Sequence, residues 1–581
     1  MKKFGLILIA FVLGGCQCGN HTTVSDGDGN PDGSVDSDGG PDAGLDGGPD
    51  GGGCAPLNGA CVQAACCTGL SCASGVCQTT PSVCGLNSQL CGGTCTVVLT
   101  DPSNCGGCGI QCGANQVCTG GTCQSSGSCP QGLTACQGSC VDLQTSNAHC
   151  GSCTHPCPAG QGCAGGNCVP SVVLDGGSPP SCPAGGPPIT VTGDGGTVCS
   201  GSLAQVTFRW AMCSCADIRA SSSLRTDAFN SAVSRDAGLG GGVGANGSFI
   251  PSSTFDIGGA AWFGSSSGLS ASGPGPNYVR QQLRVNGPAS ANSTLLVGDD
   301  AYVNGNASGN LSIQGKLYVP QGATVGPNVQ ASGGVIYGPV SVPPPCDCDA
   351  SKLIDVASIV RDGQLHNDNA AIGLDPAVLE NVNTALRLDL PCGRYYLTQI
   401  RNSAPVAIVV HGRAALFIGG DVRPSGSLAI TIDAQAELDI FVGGSLVVSQ
   451  SMSLGSTEVP AQTRIYLAGP TASVSASATL AGNFYLPYAT FSPSAPFTLY
   501  GSLFCGGYLG SQTLQVHYDR AILSAGTECN SPPLDGGTGC SSCRDCANQA
   551  CVSGTCRPCT SDSQCCAPLL CRQGACVMPL N

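Results

Sequence analysis

Eight cysteines, Cys84, Cys91, Cys95, Cys105, Cys108, Cys112, Cys118 and Cys123, are separated by 6, 3, 9, 2, 3, 5 and 4 residues. Eight more, Cys129, Cys136, Cys140, Cys150, Cys153, Cys157, Cys163 and Cys168, repeat all seven spacings at a period of 45 residues. Nothing else in this 581-residue chain restricts its folding as strongly. A unit of this size cannot bury a core that holds itself, so it needs covalent closure. The chain has 43 cysteines; setting Cys16 apart leaves 42, an even number that reads as disulfides in an exported protein. Cys105/Cys108 and Cys150/Cys153 have the CxxC spacing of redox or zinc sites. They lie between glycine-rich turns, not at a helix start that would lower a thiol pKa, and we read them as structural.

The amino terminus sets the compartment. Lys2 and Lys3 precede the apolar run Phe4 to Leu13, the form of an export signal. Ten residues make a helix of about 15 Å, half the thickness of a bilayer core. The run ends Leu13-Gly14-Gly15-Cys16. That ending resembles a bacterial lipobox, which implies a signal peptide of residues 1–15, cleavage before Cys16 and a lipid on its thiol and amino group. Gln17 in place of Asp implies, by the same resemblance, an outer-membrane lipoprotein, which we expect to be exposed at the cell surface. Residues 16–53 then form a linker with eight Asp between 26 and 50, too polar to offset its chain entropy. Asp26, Asp28, Asn30 and Asp32 alternate oxygen ligands with Gly as Ca²⁺ loops do. Ser37 stands where the EF-hand pattern wants Glu, so Ca²⁺ is only an alternative to a solvated tether, and no other cofactor or metal is expected.

Residues 54–80 hold Cys54, Cys61, Cys66, Cys67, Cys72 and Cys77, whose spacing resembles inhibitor-cystine-knot (knottin) frameworks. Spacing alone leaves fifteen connectivities open; the resemblance implies Cys54–Cys67, Cys61–Cys72 and Cys66–Cys77. The repeats, residues 81–124 and 125–170, carry CGGTC, DPSNCGGCGIQC and VCTGGTC in the first copy. These motifs resemble the plant stigma-specific cysteine-rich family and its bacterial look-alikes, which implies secreted interaction modules rather than catalysts. A final cysteine-rich module fills residues 530–581, and a linker covers 171–181.

Between the modules the pattern changes. Leu283-Arg284-Val285, Ala301-Tyr302-Val303 and Leu317-Tyr318-Val319 recur at 18 and 16 residues, and Val335-Ile336-Tyr337 follows after another 18. Leu416-Phe417-Ile418, Ile440-Phe441-Val442 and Ile465-Tyr466-Leu467 recur at 24 and 25. One short strand and a turn at such intervals fit a parallel β-solenoid, with a β-sandwich as the alternative. The fold class is mainly β and multi-domain: a body in two halves, 182–345 and 392–529, around a helical insertion at 346–391. In that insertion Ser351 to Arg361 has helical spacing with Gly363 as its stop, and Asp375-Pro376 reads as the start of a second helix through Leu379, Val382 and Leu386. We expect this insertion to cap a solenoid end. The body resembles the repetitive modules of myxobacterial-type surface lipoproteins.

A net charge of −15 excludes a nucleic-acid binder, which needs a basic stripe. Gly264-Ser265-Ser266-Ser267-Gly268 and Gly242-Val243-Gly244-Ala245-Asn246-Gly247 match catalytic and phosphate motifs only by glycine content. Glu437 and Asp439 flank Leu438 and so share one side of a strand, with Asp421, Asp433, Arg413, Arg423 and Arg464 nearby in the repeat pattern. That set defines an alternative, a β-helix polysaccharide hydrolase or lyase. A knottin-type protease inhibitor is another, with Arg572 as its basic choice. His411 and His517 are isolated in sequence and read as structural. The expectation is a non-catalytic, lipid-anchored envelope protein whose partners are the membrane and an extracellular polysaccharide or protein.

Overall fold

The computed structural model describes residues 101–526 except for short loop segments, with strand segments between residues 70 and 98 and between 550 and 577. Residues 1–69 and 527–549 lie outside the described residues, and with them Cys16, Asp26, Asp28, Asn30, Asp32, Cys54, Cys61, Cys66 and Cys67. Cys72 and Cys77 stand opposite each other across the hairpin Leu70–Ala73 and Val76–Thr79; the bonds expected of them reach residues outside this set.

The two repeats are closed alike. Cys91–Cys108, Cys105–Cys118 and Cys112–Cys123 in the first match Cys136–Cys153, Cys150–Cys163 and Cys157–Cys168 in the second; Cys129–Cys140 also closes the second, and Cys84, the counterpart of Cys129, lies outside the described residues. Each CxxC pair is split between two different disulfides. Identical spacing thus gives identical connectivity.

The body is a parallel β-solenoid, not a sandwich. Met212–Ser214, Val243–Ala245, Ala261–Phe263, Leu283–Val285, Ala301–Val303, Leu317–Val319 and Val335–Tyr337 stack into one face. The register follows the sequence repeat: Leu283 pairs with Ala301, Ala301 with Leu317, and Leu317 with Val335. Two more strands per coil, such as Leu269–Ala271 and Asn277–Val279, build the other two faces. Alternation sends Leu283 and Val285 inward and Arg284 outward, so each coil buries its apolar residues against the coils above and below. Corners are held by stacked amides, with Asn304 Nδ2 donating to Asn286 Oδ1 at 2.9 Å and Asn286 Nδ2 to the Gly264 carbonyl at 2.9 Å. Gly309, at φ +78°, turns a left-handed corner where a Cβ would strike the Ala291 carbonyl.

The second half winds in the same way, through Gly393–Leu397, Arg413–Ile418, Glu437–Val442 and Thr463–Leu467. Its long strands Ala478–Phe491 and Phe497–Gly510 reach a partner the sequence order does not suggest. Met212, Cys213 and Ser214 pair with Leu503, Phe504 and Cys505, and Leu224 to Phe229 pair with Leu514 to Asp519. The last coil of the second half stacks on the first coil of the first half. One continuous solenoid results in which chain order is permuted: the chain starts in the middle, winds to one end, returns to the other end and winds back. Two edges that would each expose unpaired backbone satisfy one another at this seam.

The return segment differs from the sequence reading. Helix α1 (Ser200–Thr207) precedes the first half, and helix α2 (Val356–Leu365) lies on the return, with Asp355 Oδ1 accepting from Ser358 N at 3.0 Å as its N-cap. Gly363 is inside α2 and does not stop it; the Phe417 ring fills the place where a Cβ would be. The helix expected after Asp375-Pro376 does not form. Asp375 Oδ1 accepts from Ala377 N in a turn, Val382 bridges to Asn402, and Leu386–Leu390 is the first strand of a coil. Leu379 and Val382 are buried by joining the solenoid instead of a helix.

Nor does this insertion cap an end. Helix α2 covers a flank, against Gly393–Leu397, Arg413–Ile418 and Glu437–Val442. The end at Leu386–Leu390 is covered by the second cysteine-rich repeat. Ser171 bridges to Arg387, and Arg387 Nη1 donates to the Thr145 carbonyl at 2.7 Å. Ala164 and Val169 bury against Ala407 there.

Disulfides Cys182–Cys392, Cys213–Cys346 and Cys215–Cys348 tie the return segment and the covering segment to the body. Cys505 corrects the even-number reading. It is a buried free thiol, pushed up to about 12 by burial.

Candidate functional site

Glu437 and Asp439 do share one side of their strand, the outer side. That side is sealed by the hairpin Thr190–Gly193 and Gly196–Cys199, by α1 and by α2. Arg464 Nε and Nη2 reach Asp439 at 2.6 and 2.9 Å, and Nη2 also reaches Glu437 at 3.1 Å. Arg413 Nε donates to Glu437 at 3.1 Å, and Ser200 Oγ to Asp439 at 2.7 Å. Burial pushes the Glu437 carboxyl up, but the Arg464 and Arg413 guanidinia outweigh it and hold the group below its usual value. Asp439 is 0% and Arg464 1% exposed, so this cluster has no open face for a substrate.

The other residues of that set are elsewhere. Asp421 and Arg423 form an exposed pair at 2.8 Å. Asp433 meets a histidine that sequence reading left isolated: His411 Nδ1 lies 2.7 Å from Asp433, and its Nε2 lies 2.8 Å from Asp389. Arg387 grips the same Asp389 at 2.7 Å. These carboxylates raise His411 to about 9. Burial raises Asp389, but hydrogen bonds from His411 and Arg387 outweigh it and bring the group to about 2. His517 likewise contacts Asp227 at 2.9 Å. A folded pKa above the ordinary 6.5 means that the His411 pairing stabilises fully below about 6.5 and is lost as pH rises through about 9. NMR titration of the His411 ring is expected to show a midpoint near 9, and Asp433→Asn is expected to lower it.

The outer side of the first half carries a different set of side chains, which are half-buried; the Trp262 Nε1 is buried, and Pro345 of the return segment lies over Gly244 on the same face. Trp262, Arg284, Tyr302, Tyr318 and Ile336 stand in register on successive coils, pointing outward. The Arg284 guanidinium lies 4.5 Å from the Trp262 ring centre and 4.6 Å from that of Tyr302. Tyr302 and Tyr318 stack at 4.5 Å and 2°. Ile336 and Tyr337 at the open end are exposed. This half-buried ladder stacks rings and a guanidinium on one another at the coil spacing of about 4.8 Å. The triplets that recur at 283, 301, 317 and 335 carry the ladder at their middle positions, and Ala261-Trp262-Phe263 extends it by one coil.

Fold and surface together define the class, a disulfide-stapled β-solenoid with one covered flank and a half-buried aromatic ladder along its first half. Residues 349–524 match a family described as a domain of unknown function (DUF7305). The match begins just after the second staple and takes in α2 and the second half of the solenoid. No curated protein and no solved structure matches the chain.

Proposed function

We propose that the chain is a non-catalytic, lipid-anchored protein of the bacterial cell surface with a structural, adhesive or binding role. In this reading Cys16 carries the lipid in the outer membrane, residues 16–53 are the tether, and the cysteine-rich modules hold the solenoid away from the membrane. The observation that carries it is oxidation: disulfides close both repeats and tie down the body, as an exported chain allows. No helix among the described residues is long and apolar enough to cross a membrane. A binding role draws its support from the exposed end of the ladder at Ile336 and Tyr337, and an extracellular polysaccharide or protein is the ligand class it would take. A non-catalytic role is favoured over a polysaccharide hydrolase or lyase because Glu437 and Asp439 are sealed and neutralised by Arg413 and Arg464.

Cys16→Ser is expected to abolish metabolic labelling with a palmitate analogue and to move the protein from the membrane fraction to the soluble one. Continued labelling and retention in the membrane would remove the anchor from the account.

A further inference from the structure

A cleft of about 140 Å³ opens at the seam where the two halves of the solenoid meet. Its floor combines three parts of the chain: Trp210 and the Cys213–Cys346 disulfide, Tyr485 and Phe504 from the second half, and Ile354 from the return segment. Tyr485 and Phe504 rings pack 4.9 Å apart, and the Tyr485 hydroxyl accepts from Ile354 N at 2.9 Å. The floor is therefore apolar and braced from beneath. A cavity of about 150 Å³ takes one benzene ring, so the space suits a single ring or a branched aliphatic group of that size.

The rim is charged. Arg209 Nη2 lies 3.0 Å from Asp347, and Lys352 Nζ lies 3.4 Å from the other oxygen of the same carboxylate. Two cations flank Asp347, and Asp349 also acts on Lys352, so the rim sets two cations beside two carboxylates in a chain of net −15. The side chains of Arg209, Asp347 and Lys352 are about half exposed, where such pairs contribute little to stability and exchange readily. A carboxylate entering the cleft meets a guanidinium fork and an ammonium that it can take from Asp347 at little cost.

We propose that this cleft binds a small carboxylate carrying one aromatic or comparably sized apolar group, ring inward and carboxylate on Arg209 and Lys352. The proposal does not depend on lipid anchoring. Because the occupant touches both halves and the return segment, binding stabilises the seam, and the folded chain gains stability with ligand concentration.

The test uses the purified full chain with phenylacetate as probe and 2-phenylethanol as its neutral counterpart. Phenylacetate is expected to raise the melting temperature and to change Trp210 fluorescence in a saturable way at up to about 10 mM, a range suited to a ligand of about ten heavy atoms. The alcohol is expected to bind at least ~10-fold more weakly, as is phenylacetate to the variant Arg209→Gln/Lys352→Gln, since a charge-assisted hydrogen bond is lost. A second variant, Val206→Trp at the exposed lip, is expected to block entry while leaving the rim charges in place. No saturable response to phenylacetate, an equal response to the alcohol, or unchanged binding by the rim variant would each overturn the proposal.

Discussion

Arg464→Met is expected to destabilise the body by about 3–5 kcal/mol, the cost of breaking a buried ion cluster from one side. The substitution leaves Glu437 with Arg413 alone and Asp439 with only the Ser200 hydroxyl, both under a covered flank. Its pH dependence has a definite sign. In the native chain Glu437 sits below its ordinary 4.5, so it contributes stability above that value and loses it as pH falls through the folded value. In the variant the stranded carboxylates are raised by burial, so the deficit is largest near neutrality and shrinks as acid protonates them. Urea unfolding of both proteins at pH 7 and at about pH 5 checks this. A deficit under about 1 kcal/mol at pH 7 would mean that solvent reaches the cluster. Replacing the whole cluster, Arg413→Met/Glu437→Leu/Asp439→Leu/Arg464→Met, is expected to recover most of the loss, because apolar groups of similar volume often replace a buried ion cluster without penalty.

The second large effect is conditional. Cys213–Cys346 and Cys215–Cys348 each join residues 133 apart, and they close nearly the same loop. Removing either one leaves that loop closed, so each double Cys→Ala substitution is expected to cost under about 1 kcal/mol beyond local packing. Removing both opens the return segment between the halves. Chain entropy then sets the cost at about 4–5 kcal/mol, allowing for the loop that Cys182–Cys392 still closes. Urea midpoints for the two double variants and the quadruple variant measure the difference. Additive losses would show that each staple acts by local packing instead of loop closure.

Much of this architecture is readable in the amino-acid order because its physics is local. A strand triplet such as Leu283-Arg284-Val285 repeats its inward and outward alternation on every coil, so its period reports the register directly. The cysteine repeat reports its own closure for the same reason, since each disulfide spans 11 to 17 residues. The seam is different. Leu224 meets Leu514, nearly 300 residues on, and no local pattern encodes which coil will stack on which. The burial of Glu437 and Asp439 was hidden in another way. Alternation tells which side of a strand a carboxylate takes, but α1 and α2 decide whether that side sees water. Around Asp375-Pro376 the helix signal was real as spacing, but Leu379 and Val382 gain more by completing a coil than by forming an isolated turn of helix.

The permuted, continuous solenoid is the central claim, and the seam is where it is exposed to test. Leu503 N donates to Ala211 O at 2.9 Å, Cys215 N to Cys505 O at 2.9 Å, Ser221 N to Gly510 O at 2.8 Å and Leu514 N to Ser223 O at 3.0 Å. Native-state hydrogen exchange resolved at these four amides is the direct measurement. These amides are expected to be protected as strongly as amides between consecutive coils, such as Ala301 and Gly443. Exchange at the rate of open strand edges would mean two separate solenoids and would contradict it.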